Sequence, residues 1–442
     1  MNITVFGAGY VGLVSAVCFA EHGHQVCCMD VDADKIARLS QGELPFYEEG
    51  LQPLLERHLA QDNLYFTTDI ELAVQDGDIL FIAVGTPSQA DGQIDLRYIR
   101  AVAEHIVEYR TENGMVVVKS TVVPGTCDEL QAYFGAALRA RNADITLSVA
   151  SNPEFLQEGM AIQQCLHPDR IVVGTADLHV ADRLRAVYAD FLTDPNRFLV
   201  MSTRSAELAK YASNALLATK ISFMNEMSRV AEGIGADINE VRSAMSLDPR
   251  IGPHFLNAGC GFGGSCFPKD VSALAYLARQ RVPDFTPVVL DAVLERNDTQ
   301  RVWLAEKVKH IFGINLRNKT FALWGLSFKP NTDDIREASS VYIIDTLLKA
   351  GATLQVHDPL AMPMVQARYP EWRLHYVETP EAALAGAEAL IIVTEWPVYR
   401  NFSLRTIKNL LKEPWIFDGR NIYDPKTTQA VGLRYIGIGR GI

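Results

Sequence analysis

Paired metal-ligating cysteines are missing from this chain of 442 residues: none of its seven cysteines falls into CxxC spacing with histidines nearby. That argues against a structural zinc site, and no metal is expected. The odd count argues equally against a disulfide framework. Reduced thiols point to the cytoplasm. A surplus of positive charge is missing as well. The formal net charge is −12, which speaks against nucleic acid as a partner, because such binders carry a basic stripe. An anionic small molecule stays open, since a local group of Lys and Arg in a cleft outweighs a distant acidic surface. Long apolar runs are also lacking. None approaches the ~18 residues that span a bilayer, so no membrane partner is expected. The stretch 3–20 is apolar enough to imitate a secretory signal, yet it lacks a basic lead-in and is interrupted by Gly7, Gly9 and Gly12. The chain reads as soluble.

What is present is ordinary globular composition, 48% apolar and 21% charged, in a length that calls for two or three domains. Apolar runs at 3–6, 25–29, 79–84, 115–119, 146–150 and 170–173 read as buried strands with helical patterns between most of them. That alternation is the signature of a parallel, doubly wound sheet. From 206 to 235 the pattern becomes one long helix, followed by helical runs at 238–245, 268–279 and 287–311 without a convincing strand. Strands resume at 320–324, 353–357, 389–393 and 415–417. An internal echo pairs FAEHGHQVCCMDVD with LLKAGATLQVHDPL, and DGDILFIAVGTP with GAEALIIVTEWP. The expected architecture is α/β: two Rossmann-like doubly wound domains, 1–200 and 313–442, joined by an all-helical domain, 201–312.

Gly7-Ala-Gly9-Tyr-Val-Gly12 follows a short strand and opens a helix, and Asp30 ends the next strand. In such a unit the first glycine makes the tight turn, the second admits a pyrophosphate to the backbone, and the third lets helix and strand pack closely. An acid at the second strand end accepts from both ribose hydroxyls and repels a 2′-phosphate, which favours NAD over NADP.

A second segment, Gly259-Cys-Gly-Phe-Gly-Gly-Ser-Cys266-Phe-Pro-Lys-Asp270, places Cys266 just before a helix that Pro268 starts. There the helix dipole and Lys269 favour a thiolate, and the glycines give a substrate access to backbone N–H groups. The residues alone leave Cys266 open between a nucleophile and a small core side chain. Lys210 and Asn214 share one helix face, with a snorkelling surface lysine as the plain alternative. Glu154, Glu158 and Thr121 fall at the carboxyl ends of strands, where open parallel sheets bind ligands. Lys329 and Arg336 follow a later strand; Arg336 suits phosphate, though loop basics are commonly solvated surface.

Taken together, GAGYVG, VGTPS, KSTVVPGT, SNPEFLQEG, ELAKYASNALLATKISFMNE, GCGFGGSCFPKD and GLSFKPNTDDIREA occur in order, and the chain resembles the UDP-glucose/GDP-mannose dehydrogenase family through almost its whole length. The resemblance implies an N-terminal NAD domain, a helical dimerisation domain and a C-terminal domain for the UDP moiety. It implies that Cys266 is the nucleophile, with Lys210, Asn214 and Asp270 around it and Thr121 and Glu154 holding a water. Glu158 would lie near the nicotinamide, and Tyr10, Val11, Asp30, Lys35, Thr86, Thr121 and Arg336 would contact the cofactor alongside the glycines. Glu154, Phe155, Leu156, Lys210, Asn214, Phe255, Gly263 and Lys329 would contact substrate, with Arg250 reaching the sugar nucleotide of a neighbouring subunit. The activity implied is a four-electron oxidation of UDP-glucose to UDP-glucuronate through a cysteine thiohemiacetal and thioester. Two alternatives are a dehydrogenase of another nucleotide sugar, such as GDP-mannose, and a two-electron hydroxyacid dehydrogenase; GGSCFPKD counts against the latter. Relatives acting on N-acetylmannosamine nucleotides carry His where this chain has Ser265. Cys260 departs from a common Pro.

Overall fold

Eight short strands build the sheet of the first unit: β1 (Asn2–Phe6), β2 (Gln25–Met29), β3 (Leu64–Thr67), β4 (Ile79–Ile82), β5 (Gly114–Val118), β6 (Leu147–Ser151), β7 (Ile171–Gly174) and β8 (Phe198–Met201). They are ordered β3-β2-β1-β4-β5-β6-β7-β8. In this computed structural model residues 1–89 and 91–440 are described. The chain packs as two units, Met1–Ser213 and Asn214–Ile442. The central strands are apolar on both faces because helices cover both. Ile3, Val5, Phe81 and Val117 face one core with Phe19, and the residues alternating with them, Phe6, Leu80, Ile82 and Val116, face the other with Phe134. All neighbours run parallel except β6 and β7, which meet antiparallel at Ser151 and Gly174. The winding reverses between β1 and β4, and that switch point opens the crevice where α/β sheets take ligands.

The second unit repeats the winding. Strands β9 (Thr320–Trp324), β10 (Thr353–His357), β11 (His375–Tyr376), β12 (Ala389–Ile392), β13 (Trp415–Asp418) and β14 (Arg434–Gly437) lie in the order β11-β10-β9-β12-β13-β14, all parallel. The helices between 203 and 312 are Thr203–Ile234, Ile238–Ser246, Phe267–Arg281 and Val288–Phe312. Leu304, Ala305 and Val308 of the last helix join Phe321 and Leu323 in one buried cluster, so this helix helps to cover the C-terminal sheet. A smaller cluster of Ala215, Ala218, Phe262, Val271 and Val293 packs the helices Thr203–Ile234, Phe267–Arg281 and Val288–Phe312 together, while Ile238 joins the larger cluster. Among the described residues no helix is long and apolar enough to cross a membrane.

Candidate active site

At the switch point of the first sheet Gly7 sits at φ +101°, and its N–H donates to the Met29 carbonyl at 2.7 Å. A side chain there would meet the Ala83 carbonyl at 2.7 Å, and one at Gly12 would collide with the Gly7 carbonyl. Gly9 faces open space and caps the Tyr10–Glu21 helix without a side-chain bond. The first-turn N–H groups of that helix are therefore left to an anion. Asp30 accepts from the Ala8 N–H at 2.8 Å and pairs with Lys35 at 3.1 Å. Its side chain keeps 12% exposure, room for a ribose hydroxyl. These features fit a dinucleotide. Thr86 donates to the Thr121 carbonyl at 2.9 Å, tying two candidate cofactor positions together. Val11 is half-buried, and Tyr10 donates to the buried Glu48 carboxylate. Glu48 also accepts from Gly159 and Ala161, both at 2.6 Å, and so pins the loop that carries Glu158.

The second sheet has the same turn with a different outcome. Gly325 sits at φ +94° and donates to the His357 carbonyl at 2.9 Å, as Gly7 does to Met29. Asp358 stands where the repeat puts Asp30, but it is fully buried. It accepts from Leu326, Ser327, Leu360, Ala361 and the Trp396 indole. An acid surrounded in this way has no face left for a ribose, so among the described residues the open strand-end acid is that of the first unit.

In the first unit Lys210 and Glu154 form an ion pair at 2.9 Å, with side chains 3% and 7% exposed. Glu154 also accepts from the Leu156 N–H at 2.5 Å. Burial pushes the Glu154 carboxyl up, but Lys210 and this N–H prevail and hold it below the ordinary carboxylate value. The Phe155 ring lies 5.4 Å from the Lys210 ammonium and 3.9 Å from the Arg170 guanidinium. Beneath the loop the buried Lys119 donates to Asn152 at 3.2 Å, and Tyr188 bonds the same oxygen at 2.5 Å.

In the second unit Asn214 donates to Asp270 at 2.6 Å, and Lys269 reaches the other carboxylate oxygen at 2.5 Å. The Lys269 ammonium thereby pairs with the fully buried Asp270. Lys210 and Asn214 lie one turn apart on the Thr203–Ile234 helix, and each is tied to its own carboxylate. Cys266 is the N-cap of the Phe267–Arg281 helix, with its sulfur 3.5 Å from the Ser265 hydroxyl. It is half-buried, as is Cys165, whereas Cys18, Cys27, Cys28, Cys127 and Cys260 are buried. Burial pushes the Cys27 thiol up to about 11 and that of Cys260 to about 12. Cys260 accounts for its departure from Pro by donating to the Gly419 carbonyl at 3.3 Å inside the core.

The glycines before Cys266 answer to packing. A side chain on Gly263 would collide with the Glu337 carbonyl, and on Gly261 or Gly264 it would meet Asn297 or Phe328 at 2.8 Å. Phe255 holds φ +62° and lies 6.0 Å from the Phe267 ring; a bulky residue in that region marks a backbone set by its surroundings. Lys329 lies 5.6 Å from the Phe328 ring. Arg336 and Arg250 are exposed and form two-pronged pairs with Asp334 and Asp248, closest at 2.7 and 2.6 Å. The buried partners Glu48, Lys119, Asn152, Asn297 and Arg301 were not foreseen. Glu48, and Asn297 and Arg301 in ERNDTQR, stand among other polar residues, so the sequence carries no signal of their burial.

The glycine turn and Asp30 of the first unit fit an NAD-linked oxidoreductase. The comparisons give the class its name. Residues 1–192 match the NAD-binding domain of the UDP-glucose/GDP-mannose dehydrogenase family, 204–299 its central domain and 322–425 its UDP-binding domain. The chain belongs to this family. It is 45% identical to a UDP-glucose 6-dehydrogenase of Pseudomonas aeruginosa, covering 100% of this chain and 98% of that one. It is 44% identical, with the same coverage, to one of Bacillus subtilis. A solved UDP-glucose dehydrogenase from Pyrobaculum islandicum superposes with TM-score 0.90 at 40% identity, covering 99% of this chain and 97% of that one.

Proposed function

We propose that this protein oxidises the 6-hydroxymethyl group of UDP-glucose to the carboxylate of UDP-glucuronate, with two NAD consumed per sugar nucleotide. The observation that carries the reading is the half-buried Cys266 at a helix N-terminus, in a chain where five of the seven thiols are buried. Removing two hydrides from one carbon passes through an aldehyde, which must be retained between the two oxidations. NAD, when bound, takes up the hydrides. The Cys266 thiolate adds to the aldehyde carbon, giving a thiohemiacetal; loss of the second hydride from that carbon leaves a thioester. Glu154, ionised beside Lys210, takes a proton from water, which attacks the thioester carbonyl and releases the Cys266 thiolate and the acid. Lys210 stabilises oxyanions on the path, a contribution of ~3–4 kcal/mol in comparable sites. Thr121 helps to hold the water, Asn214 and Asp270 surround the sulfur, and Lys329, Phe255 and Arg250 contact the sugar nucleotide. Glu158, Lys35, Thr86 and Arg336 belong to the cofactor's surroundings. The working division is 1–200 for NAD, 201–312 for the cysteine and dimerisation, and 313–442 for the UDP moiety.

A homodimer in the cytoplasm completes the reading. Leu216, Phe223 and Val230 recur every seven residues on the Thr203–Ile234 helix at 63%, 48% and 50% exposure, with Ile234 beyond them at 75%. An apolar stripe of this spacing on a helix suits a second copy of the same helix.

The deciding experiment counts NADH formed per UDP-glucose under limiting sugar nucleotide and excess NAD. Two NADH with an acid product support the scheme. One NADH reduces it to a simple alcohol oxidation, and none with UDP-glucose but turnover with GDP-mannose replaces the substrate.

A further inference from the structure

The segment leading to Cys266 is held from behind by side chains to which the reaction assigns no role. The Gly259 N–H donates to Asn225 at 2.8 Å, and Gln300 donates to the Gly259 carbonyl at 2.8 Å. Asn297 accepts from the Phe262 N–H at 2.8 Å and donates to the Phe262 carbonyl at 3.0 Å. Asn297, Gln300 and Arg301 share one face of the Val288–Phe312 helix and are 2%, 0% and 4% exposed. The donors of this deep row find acceptors on the glycine loop, while the Gln300 Oε1 is left without a partner among the described residues.

Arg301 is the branch point. Its Nε and Nη2 donate to the Phe262 carbonyl, both at 3.3 Å. Its Nη1 donates to Glu337 at 2.9 Å and to the Tyr342 hydroxyl at 2.9 Å, with Asp298 at 3.7 Å. Tyr342 in turn donates to the same Glu337 oxygen at 2.6 Å. Glu337 ends the segment that carries Lys329, and one residue earlier the Arg336 carbonyl takes the Gly264 N–H at 2.8 Å. One guanidinium thus spans the loop of the proposed nucleophile and the segment of the proposed nucleotide contact.

We infer that Arg301, through its fork to Phe262 and Glu337, is the positioning residue that sets the Cys266 thiol in register with the segment 328–337. This rests on the roles proposed for Cys266 and Lys329. The planar fork explains why the position holds Arg: a lysine offers one point charge and cannot serve both directions at once.

The test compares Arg301→Lys, Glu337→Gln, Tyr342→Phe and the double variant Arg301→Lys/Glu337→Gln. Glu337 and Tyr342 are partly exposed, so their variants fold even where Arg301→Lys fails to. Expected for Arg301→Lys and Glu337→Gln is a loss of about tenfold to a hundredfold in kcat, the scale of a small misplacement of reacting groups. UDP affinity by calorimetry stays within about threefold, and the double variant is no slower than the slower single one. Unchanged kcat overturns the inference. So does a parallel fall of kcat, UDP affinity and melting temperature with additive effects, which is what a merely structural residue gives. If the wild-type protein does not oxidise UDP-glucose, the proposed function fails and a substrate-free measurement decides this inference. Alkylation of the Cys266 peptide by iodoacetamide, followed by mass spectrometry, changes rate in Glu337→Gln if the register is set this way; a wild-type rate overturns it.

Discussion

Replacing Lys210 by Met, which keeps the length and apolar stem but removes the charge, leaves the Glu154 carboxylate at 7% exposure without its ion-pair partner. Breaking one side of a buried pair costs about 3–5 kcal/mol. The Leu156 N–H still donates to Glu154, and Lys119 still acts on it, so the lower end, about 3 kcal/mol, is the better figure. At roughly 2–4 °C per kcal/mol for a unit of this size, the melting temperature drops by about 6–12 °C. The pH dependence carries the sign. In the wild-type protein Glu154 titrates below its ordinary value of 4.5, so its contribution is fully present above that pH and is lost as pH falls through the lower folded value. In Lys210→Met burial is less opposed and raises the folded value, so the deficit is largest at pH 8 and shrinks toward pH 5 as Glu154 takes a proton. Denaturant unfolding of Lys210→Met, Glu154→Gln and the double variant at both pH values reads this directly. The double variant regains most of the loss, because neither member of the pair is left buried without the other. A deficit below about 1 kcal/mol, a deficit independent of pH, or additive losses would refute the reasoning.

Cys266→Ser removes the thiolate and makes the covalent acyl species an ester; steady-state NADH production collapses while NAD binding by fluorescence titration is kept, and normal turnover would exclude Cys266 as nucleophile. Asp30→Ser deletes the ribose acceptor and the Lys35 partner, so the KM for NAD rises by about tenfold or more and the preference over NADP narrows; an unchanged preference would place cofactor choice elsewhere. Phe223→Asp puts a charge into the exposed apolar stripe and, on the proposed homodimer, shifts sedimentation from dimer to monomer; an unchanged sedimentation coefficient would rule this stripe out as the interface.

Edge position explains what the strand pattern concealed. The buried strands β1, β2, β4 to β7, β9, β10, β12 and β13 are legible as apolar runs because helices cover both faces. The four strands not expected, β3, β8, β11 and β14, are the outer strands of the two sheets. In β3, β8 and β11 a shorter or half-exposed run carries a diluted signal: β8 leaves Leu199 and Val200 exposed, and β11 is two residues long. The sites divide in a similar way. Gly7, Gly12, Asp30 and Cys266 announce themselves because turn, close approach, strand end and helix start are local events. Glu48 meets Gly159, Lys119 meets Asn152 and Arg301 meets Glu337 only across long stretches of chain, and no spacing encodes those partners.

Local physics is therefore written in the sequence: the alternation that gives two mostly parallel sheets, the glycine turn shaped for a dinucleotide, and a cysteine at a helix N-terminus. The tertiary structure alone decided which charges are satisfied and by whom. Asp30 and Asp358 end equivalent strands, yet one keeps an open edge and the other is enclosed by protein donors. Lys269, three residues after Cys266, pairs with Asp270, while Lys210 pairs with Glu154. The reason is desolvation: a buried charge takes whatever partner the packing brings within about 3 Å, and chain order does not say which that is.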